Sequence, residues 1–235
     1  MRLSREASAR EAPLPEAFVL VAKQASALRL TAVTAAAEAE GLFPGLSLAD
    51  ARARLPDVLA LTADPAADAV RLERIAEACR RYTPALAVDA PDGVVLDISG
   101  AAHLFGGEAG LMADLRRRVT GAGYAARIAI ADTPGLAWAF ARAWSEDRSA
   151  PIGGGNDLLE ALSPAALRLD PEALKLLRRL GVRRISQFSS MPRAALARRL
   201  GTAFLDRLDQ ALGRRASPLQ ARLEVEPWQA ARRLL

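Results

Sequence analysis

The sequence predicts an α+β protein in two parts, and three observations carry that reading. Short runs with β patterning alternate with helical ones over the first 148 residues. A stretch rich in proline and glycine, Ser149 to Gly155, then changes the composition. Beyond it every segment reads as a short helix.

The elements follow in order. Phe18-Val19-Leu20-Val21 is an apolar run of strand length, and Leu28 to Val33 alternates, so both are strands. Thr34 caps a helix from Ala35 to Glu40, which Gly41 ends. Phe43-Pro44-Gly45 is a turn, and Ser47-Leu48-Ala49-Asp50 is a start resembling a capping box for a helix that stops at Pro56. Val58 to Leu61 is a third strand candidate. Leu72, Ile75, Cys79 and Tyr82 recur three or four apart, one face of a helix that begins at Pro65 and ends at Thr83-Pro84. Val94 to Ile98 reads as a buried strand, followed by a turn through His103-Leu104-Phe105-Gly106-Gly107. The helix Glu108 to Val119 buries Leu111, Leu115 and Val119. Arg127 to Ala131 is a strand, and Thr133-Pro134 is an N-cap with proline at the first helical position. Trp138, Phe140 and Trp144 on the helix it opens read as core rather than as a stacking platform. After the linker, Asp170-Pro171 opens a helix that Gly181 closes and Pro192 opens one that Gly201 closes. A third runs to about Gly213.

Charge divides along the same line. Residues 1–150 carry 17 basic and 19 acidic side chains, net −2, and residues 151–235 carry 15 and 8, net +7. A basic half beside a near-neutral one fits contact with a phosphate backbone, the alternative being arginines that only keep an Ala/Leu-rich domain soluble. Cys79 is the sole cysteine, which rules out an internal disulfide and a cysteine-based metal site. His103 is the sole histidine, so no site can use two imidazoles. Neither residue receives a functional role. No apolar run approaches the roughly 18 residues of a membrane span. Residues 1–16 are polar and charged without a signal-peptide core, which predicts a disordered lead-in and a cytoplasmic protein.

Taken in order, four segments resemble the Y-family (translesion) DNA polymerases: Gly45-Leu46-Ser47-Leu48-Ala49-Asp50-Ala51-Arg52, the Arg81-Tyr82-Thr83-Pro84 helix end, Leu96-Asp97-Ile98-Ser99-Gly100 with Leu104-Phe105-Gly106, and Leu180-Gly181-Val182. The resemblance implies a ferredoxin-like palm with a small fingers subdomain over 17–150 and an all-helical thumb of helix-hairpin-helix type over 151–235. The wording of Ala27–Val33, Asp92–Asp97, His103–Glu108 and Ala131–Gly135 is similar to one branch of that family. Its members are accessory proteins of a bacterial inducible mutagenesis system, regarded as relatives that lost catalysis and became adaptors.

Nucleotidyl transfer needs two divalent cations close together, held by hard oxygen ligands. Active Y-family members supply an Asp on the first palm strand and an adjacent Asp-Glu pair on the central one. Residues 1–16 contain no strand pattern with an acidic residue inside it. Aligned on Leu96-Asp97, the pair becomes Asp92 and Gly93, so one carboxylate of three survives. A lone Asp before a strand reads as a turn former. Asp97 shares a face with Val95, and a structural role is expected for it. Active members also set a Tyr and an Arg against the triphosphate; counted back from Gly41, those positions hold Ala35 and Glu38. A carboxylate there repels a polyanion. The palm helix that supplies a phosphate-binding Lys reads Asp132-Thr133-Pro134-Gly135-Leu136. No catalytic residue and no cofactor are therefore expected.

DNA contact is expected from the thumb. The glycine-rich hairpin turn that offers backbone N–H groups to a phosphate corresponds to Ala166-Leu167-Arg168-Leu169-Asp170, which has no glycine. What remains is Arg178, Arg179, Arg183 and Arg184 near Gly181, then Arg193, Arg198 and Arg199, giving weak, sequence-independent binding. The expected partners are DNA, an error-prone DNA polymerase and other mutagenesis proteins of the DNA-damage (SOS) response. A sliding clamp would bind only through regions absent here, since nothing after Pro227-Trp228 resembles a clamp-binding peptide and the chain reads as truncated. The rival reading is an active DNA-directed polymerase using Asp92 and Asp97 with Mg²⁺.

Overall fold

The computed structural model describes residues 14–144, 146–150, 152–189 and 191–219. Most of the expected lead-in, and Pro227-Trp228, lie outside the described residues. The chain is α+β, as its patterning predicts, and divides into two compact units. The first holds residues up to Ile75 with Asp89–Gly93 and Val119–Ala125, and the second holds the remainder.

The first unit is built on a three-stranded sheet of order β2-β1-β3, with β1 Phe18–Gln24, β2 Ala27–Val33 and β3 Leu59–Thr62. β1 sits in the middle, antiparallel to β2 and parallel to β3. That placement explains its unbroken apolar start: Phe18, Val19, Leu20 and Val21 are all buried. The register slips between Leu20 and Val21, so Leu20 faces Ala32 while Val21 faces Leu30. Thr31 is the extra residue of this bulge, and its hydroxyl donates to the Leu20 carbonyl at 3.2 Å. Helix α1, Ala35–Ala39, starts at Thr34, whose Oγ1 accepts from Ala37 N. Helix α2, Leu48–Arg54, starts at Ser47, whose Oγ accepts from Asp50 N at 3.0 Å. Val19, Leu30, Ala37, Leu42 and Ala51 form the core of this unit at 1 % exposure or less. Burying each Val or Leu contributes roughly 1.5–3 kcal/mol. Helix α3, Pro65–Cys79, carries the chain out of the sheet.

Strands β4 Leu86–Asp89 and β5 Gly93–Leu96 form a two-stranded sheet. β4 escaped sequence reading because Ala, Asp and Pro on either side blur its period, and β5 is shorter than the expected Val94–Ile98. The expected turn at His103 is a 3₁₀ turn, Ala102–Phe105, closed by Gly106 in a left-handed conformation. Helix α4, Glu108–Gly121, buries Leu111 and Leu115; Val119 is only half-buried. β6 is confined to Ala129–Ile130 and pairs in parallel with β7, Arg148–Ser149, at the point where the linker was expected to begin. Arg148 N and Ala150 N donate to Ile128 O and Ile130 O. An exposed Arg-Ser dipeptide has no apolar signature, so only pairing with β6 makes it a strand.

Helix α5, Pro134–Ala143, centres the larger core. Around its Leu136 and Phe140 pack α6 (Gly155–Glu160), a 3₁₀ turn Pro164–Leu167, α7 (Pro171–Arg179), α8 (Ser186–Ser189), α9 (Arg193–Leu200) and α10 (Thr202–Ala211). Phe188 and Phe204 meet edge to face at 4.9 Å. Gly155 opens α6 because a Cβ there would lie 2.4 Å from Leu136 Cδ2. Of the three aromatics on this helix run, only Phe140 is fully buried; Trp138 and Trp144 are half-buried. Among the described residues no helix is long and apolar enough to cross a membrane.

Candidate functional site

Asp92 is exposed in the turn that joins β4 to β5, two residues after the start of a turn containing a cis Ala90-Pro91 bond. Gly93 is the first residue of β5, and the space where its side chain would stand is tight. A Cβ at 93 would lie 3.1 Å from the Asp89 carbonyl oxygen and 3.2 Å from Asp89 Oδ2. The glycine is thus a point of close approach to a half-buried carboxylate that sequence reading did not single out, because β4 itself was not seen. A side chain at 93 would need Asp89 to give by a few tenths of an ångström, and an acidic one would also meet like-charge repulsion.

Asp97 closes the strand. Its N–H donates to Ala85 O at 2.8 Å, and its Oδ1 accepts from Ser99 N at 2.9 Å. Hydrogen bonds from the Ser99 side chain and backbone hold its carboxyl below the usual carboxylate range. That is the chemistry of an Asx turn, in keeping with the structural role expected for it. Among the described residues no group of three or more His, Cys, Asp or Glu has the geometry to hold a metal ion. At position 93, where the resemblance leads to the expectation of a metal-binding carboxylate, there is no side chain, so the residues present there do not fit the two-cation centre expected of an active member.

Ala35 and Glu38 lie on α1, both exposed. Thr34 fixes the helix start twice over, accepting from Phe18 N and donating to Phe18 O, each at 3.2 Å. Glu38 N donates to Thr34 O at 2.8 Å. Its carboxylate stands in the first turn, where the helix dipole favours negative charge.

The arginines expected to contact DNA fall into groups. Arg178 and Arg179 occupy the last turn of α7, exposed, on a helix whose first turn is capped by Asp170 Oδ1 accepting from Ala173 N at 2.8 Å. Arg183 and Arg184 follow Gly181, and both of their backbone N–H groups donate to Gln187 Oε1, at 2.7 and 2.9 Å. This clamp, invisible in the sequence, fixes the backbone and leaves both guanidinium groups exposed. Arg198 and Arg199 end α9, also exposed. Arg193 differs. Its guanidinium grips Asp209 with two hydrogen bonds, one of 3.0 Å, and that carboxylate raises its pKa further.

The hairpin turn before α7 has an unexpected occupant. Arg168 takes a left-handed conformation, φ +56°, at a position where a non-glycine residue costs about 1 kcal/mol. Its guanidinium lies 5.0 Å from the centre of the Trp138 ring, which also carries Arg142 at 4.1 Å. Trp138, expected as core, is half-buried and has both an α5 arginine and a loop arginine against its ring.

The model of the impB/mucB/samB family matches residues 4–142. Protein ImuB from two strains of Caulobacter vibrioides is 47% identical over 188 residues, covering 80% of this chain and 41% of the relative. The chain thus spans about two fifths of the length of the curated relatives it matches. Among solved structures, DinB from Sulfolobus solfataricus superposes with a TM-score of 0.73 at 15% identity, over 94% of this chain and 64% of that one. A Y-family DNA polymerase chimera, Dbh-Dpo4(243-245)-Dbh, gives 0.72 at 14%, over 93% and 64%. The insertion ternary complex of Dbh DNA polymerase gives 0.74 at 14%, over 92% and 64%. At such identities the likeness establishes the fold, which is that of these polymerases.

Proposed function

The chain belongs to the impB/mucB/samB family, and from that premise we propose that it is a catalytically inactive Y-family polymerase homologue, an adaptor in DNA-damage-induced mutagenesis and translesion synthesis. The observation that carries the reading is Gly93 itself, which offers no carboxylate beside Asp92 and stands so near Asp89 that a side chain there would need Asp89 to give by a few tenths of an ångström. Exposed Glu38, where a cation would be needed for a triphosphate, supports it. The adaptor would hold DNA weakly through Arg178, Arg179, Arg183, Arg184, Arg198 and Arg199 while recruiting an error-prone polymerase. Such contacts are charge-driven and sequence-independent.

Primer extension by the purified protein, with Mg²⁺ or Mn²⁺, tests the central claim. No nucleotide should be added; distributive addition above a protein-free control overturns the reading. One observation favours the rival, an active polymerase with altered ligands: the Asp89 carboxylate lies beside the side-chain space of Gly93. In that case addition should vanish in Asp89→Ala and in Asp92→Ala.

A further inference from the structure

Helix α7 is apolar beyond the face it buries. Leu177 points inward at 2% exposure and shares the larger core with Val182 and Ile185. Leu176 and Leu180 stand outside that core, 36% and 49% exposed. They are four residues apart, and the Leu180 N–H donates to the Leu176 carbonyl at 3.0 Å, so their side chains form one short stripe along the helix.

Lys175 and Arg179, equally spaced, make a cationic stripe one residue round the helix from the leucines, and Arg178 flanks it. All three are exposed. Past the helix end, Val182 N donates to Leu177 O at 3.0 Å, and the Gln187 clamp fixes the backbone of Arg183 and Arg184. Residues 171–190 thus hold five cationic side chains and one carboxylate. That carboxylate, Glu172, stands a turn nearer the N-terminus, 3.8 Å from Lys175. Arg178, Arg179, Arg183 and Arg184 meet no carboxylate among the described residues.

A phosphate backbone accounts for the cations and has no use for the leucines. We propose that the C-terminal half of α7 also docks an acidic amphipathic helix of a partner protein, and that this helix and DNA exclude one another there. Leu176 and Leu180 meet its apolar side chains, and Arg179 and Arg183 meet its carboxylates. Charge commits the surface to an acidic partner, since a neutral or basic one would cover guanidinium groups without matching them. The two stripes run side by side along α7, and a helix laid against it carries both chemistries on adjacent faces. The exclusion rests on the reading of these arginines as DNA contacts; the docking does not.

Fluorescence anisotropy on the purified protein tests both parts. A labelled helical peptide of about four turns, leucines on one face and glutamates on the other, should bind saturably. The same peptide, unlabelled, should release a labelled DNA duplex. Leu176→Ser with Leu180→Ser should weaken the peptide about tenfold and leave duplex affinity as in the parent. Both leucines lie outside the core, so the urea midpoint should hold. Arg179→Glu with Arg183→Glu should weaken both ligands. A peptide of the same composition with its leucines spread round the helix should also bind about tenfold more weakly. The docking is overturned by a lack of saturable peptide binding, by a leucine variant that binds the peptide as the parent does, or by equal binding of the rearranged peptide. A leucine variant that loses the duplex as well hands the leucines to DNA and overturns it too. Peptide and duplex bound at once overturn the exclusion. Peptide binding by a parent that holds no duplex overturns only the DNA reading.

Discussion

The Thr133 hydroxyl donates to the Ala211 carbonyl at 3.0 Å while accepting from Leu136 N at 3.1 Å. One side chain therefore caps the start of α5 and satisfies an orphan carbonyl at the end of α10, 78 residues later in the sequence. Replacing it with valine keeps the shape and removes both bonds. Thr133→Val should lose about 1–3 kcal/mol of stability, read as a lower urea midpoint with unchanged slope.

Gly93→Glu is the obvious attempt to rebuild an acidic pair. It should not create polymerase activity, and it should destabilise the protein by about 1–3 kcal/mol, since the new Cβ meets Asp89 main chain and side chain. Gly93→Ala should already lower the melting temperature. A stable Gly93→Glu protein that extends a primer would contradict the proposed adaptor.

Removing thumb arginines should act on DNA affinity in proportion to exposure. Arg178→Ala with Arg179→Ala should weaken binding alike on every sequence and flatten the salt dependence by roughly one unit of slope per lost phosphate contact. Arg193→Ala should leave that slope nearly unchanged, because its charge is already matched by Asp209. Filter binding of a duplex at several salt concentrations distinguishes the two outcomes.

Tyr82 and Asp114 set stability limits at opposite ends of the pH scale. Burial, then the bond to Asp114, pushes the Tyr82 hydroxyl up to about 12. A raised phenol keeps its proton in the fold, so its contribution is full below about pH 10, the unfolded value, and is lost as pH rises toward 12. The Tyr82 hydroxyl and Arg118 hold the Asp114 carboxyl down to about 2. That contribution is full above about pH 4 and is lost as pH falls toward 2. Urea midpoints across pH should show both declines, with Tyr82→Phe flattening the alkaline one and Asp114→Asn the acid one.

Local signals carried much of the fold. The caps at Thr34, Ser47, Thr133 and Asp170 were legible because each pairs a side-chain oxygen with an N–H three residues on, a rule that needs no tertiary context. β7 was not legible, since Arg148-Ser149 becomes strand only through pairing with β6. At the candidate site, the glycine after Asp92 could be read from order alone, whereas the nearness of Asp89 to it needed β4 beside β5. The Arg168–Trp138–Arg142 stack joins residues some thirty positions apart and left no periodic trace. Charge counting marked the thumb as basic without revealing that Arg193 is matched by Asp209.

The crowding around Gly93 also couples two positions of the hairpin. What position 93 can carry is set by how far the residue at 89 on the preceding strand can give, so substitutions at 93 and 89 should be tolerated together more readily than either alone.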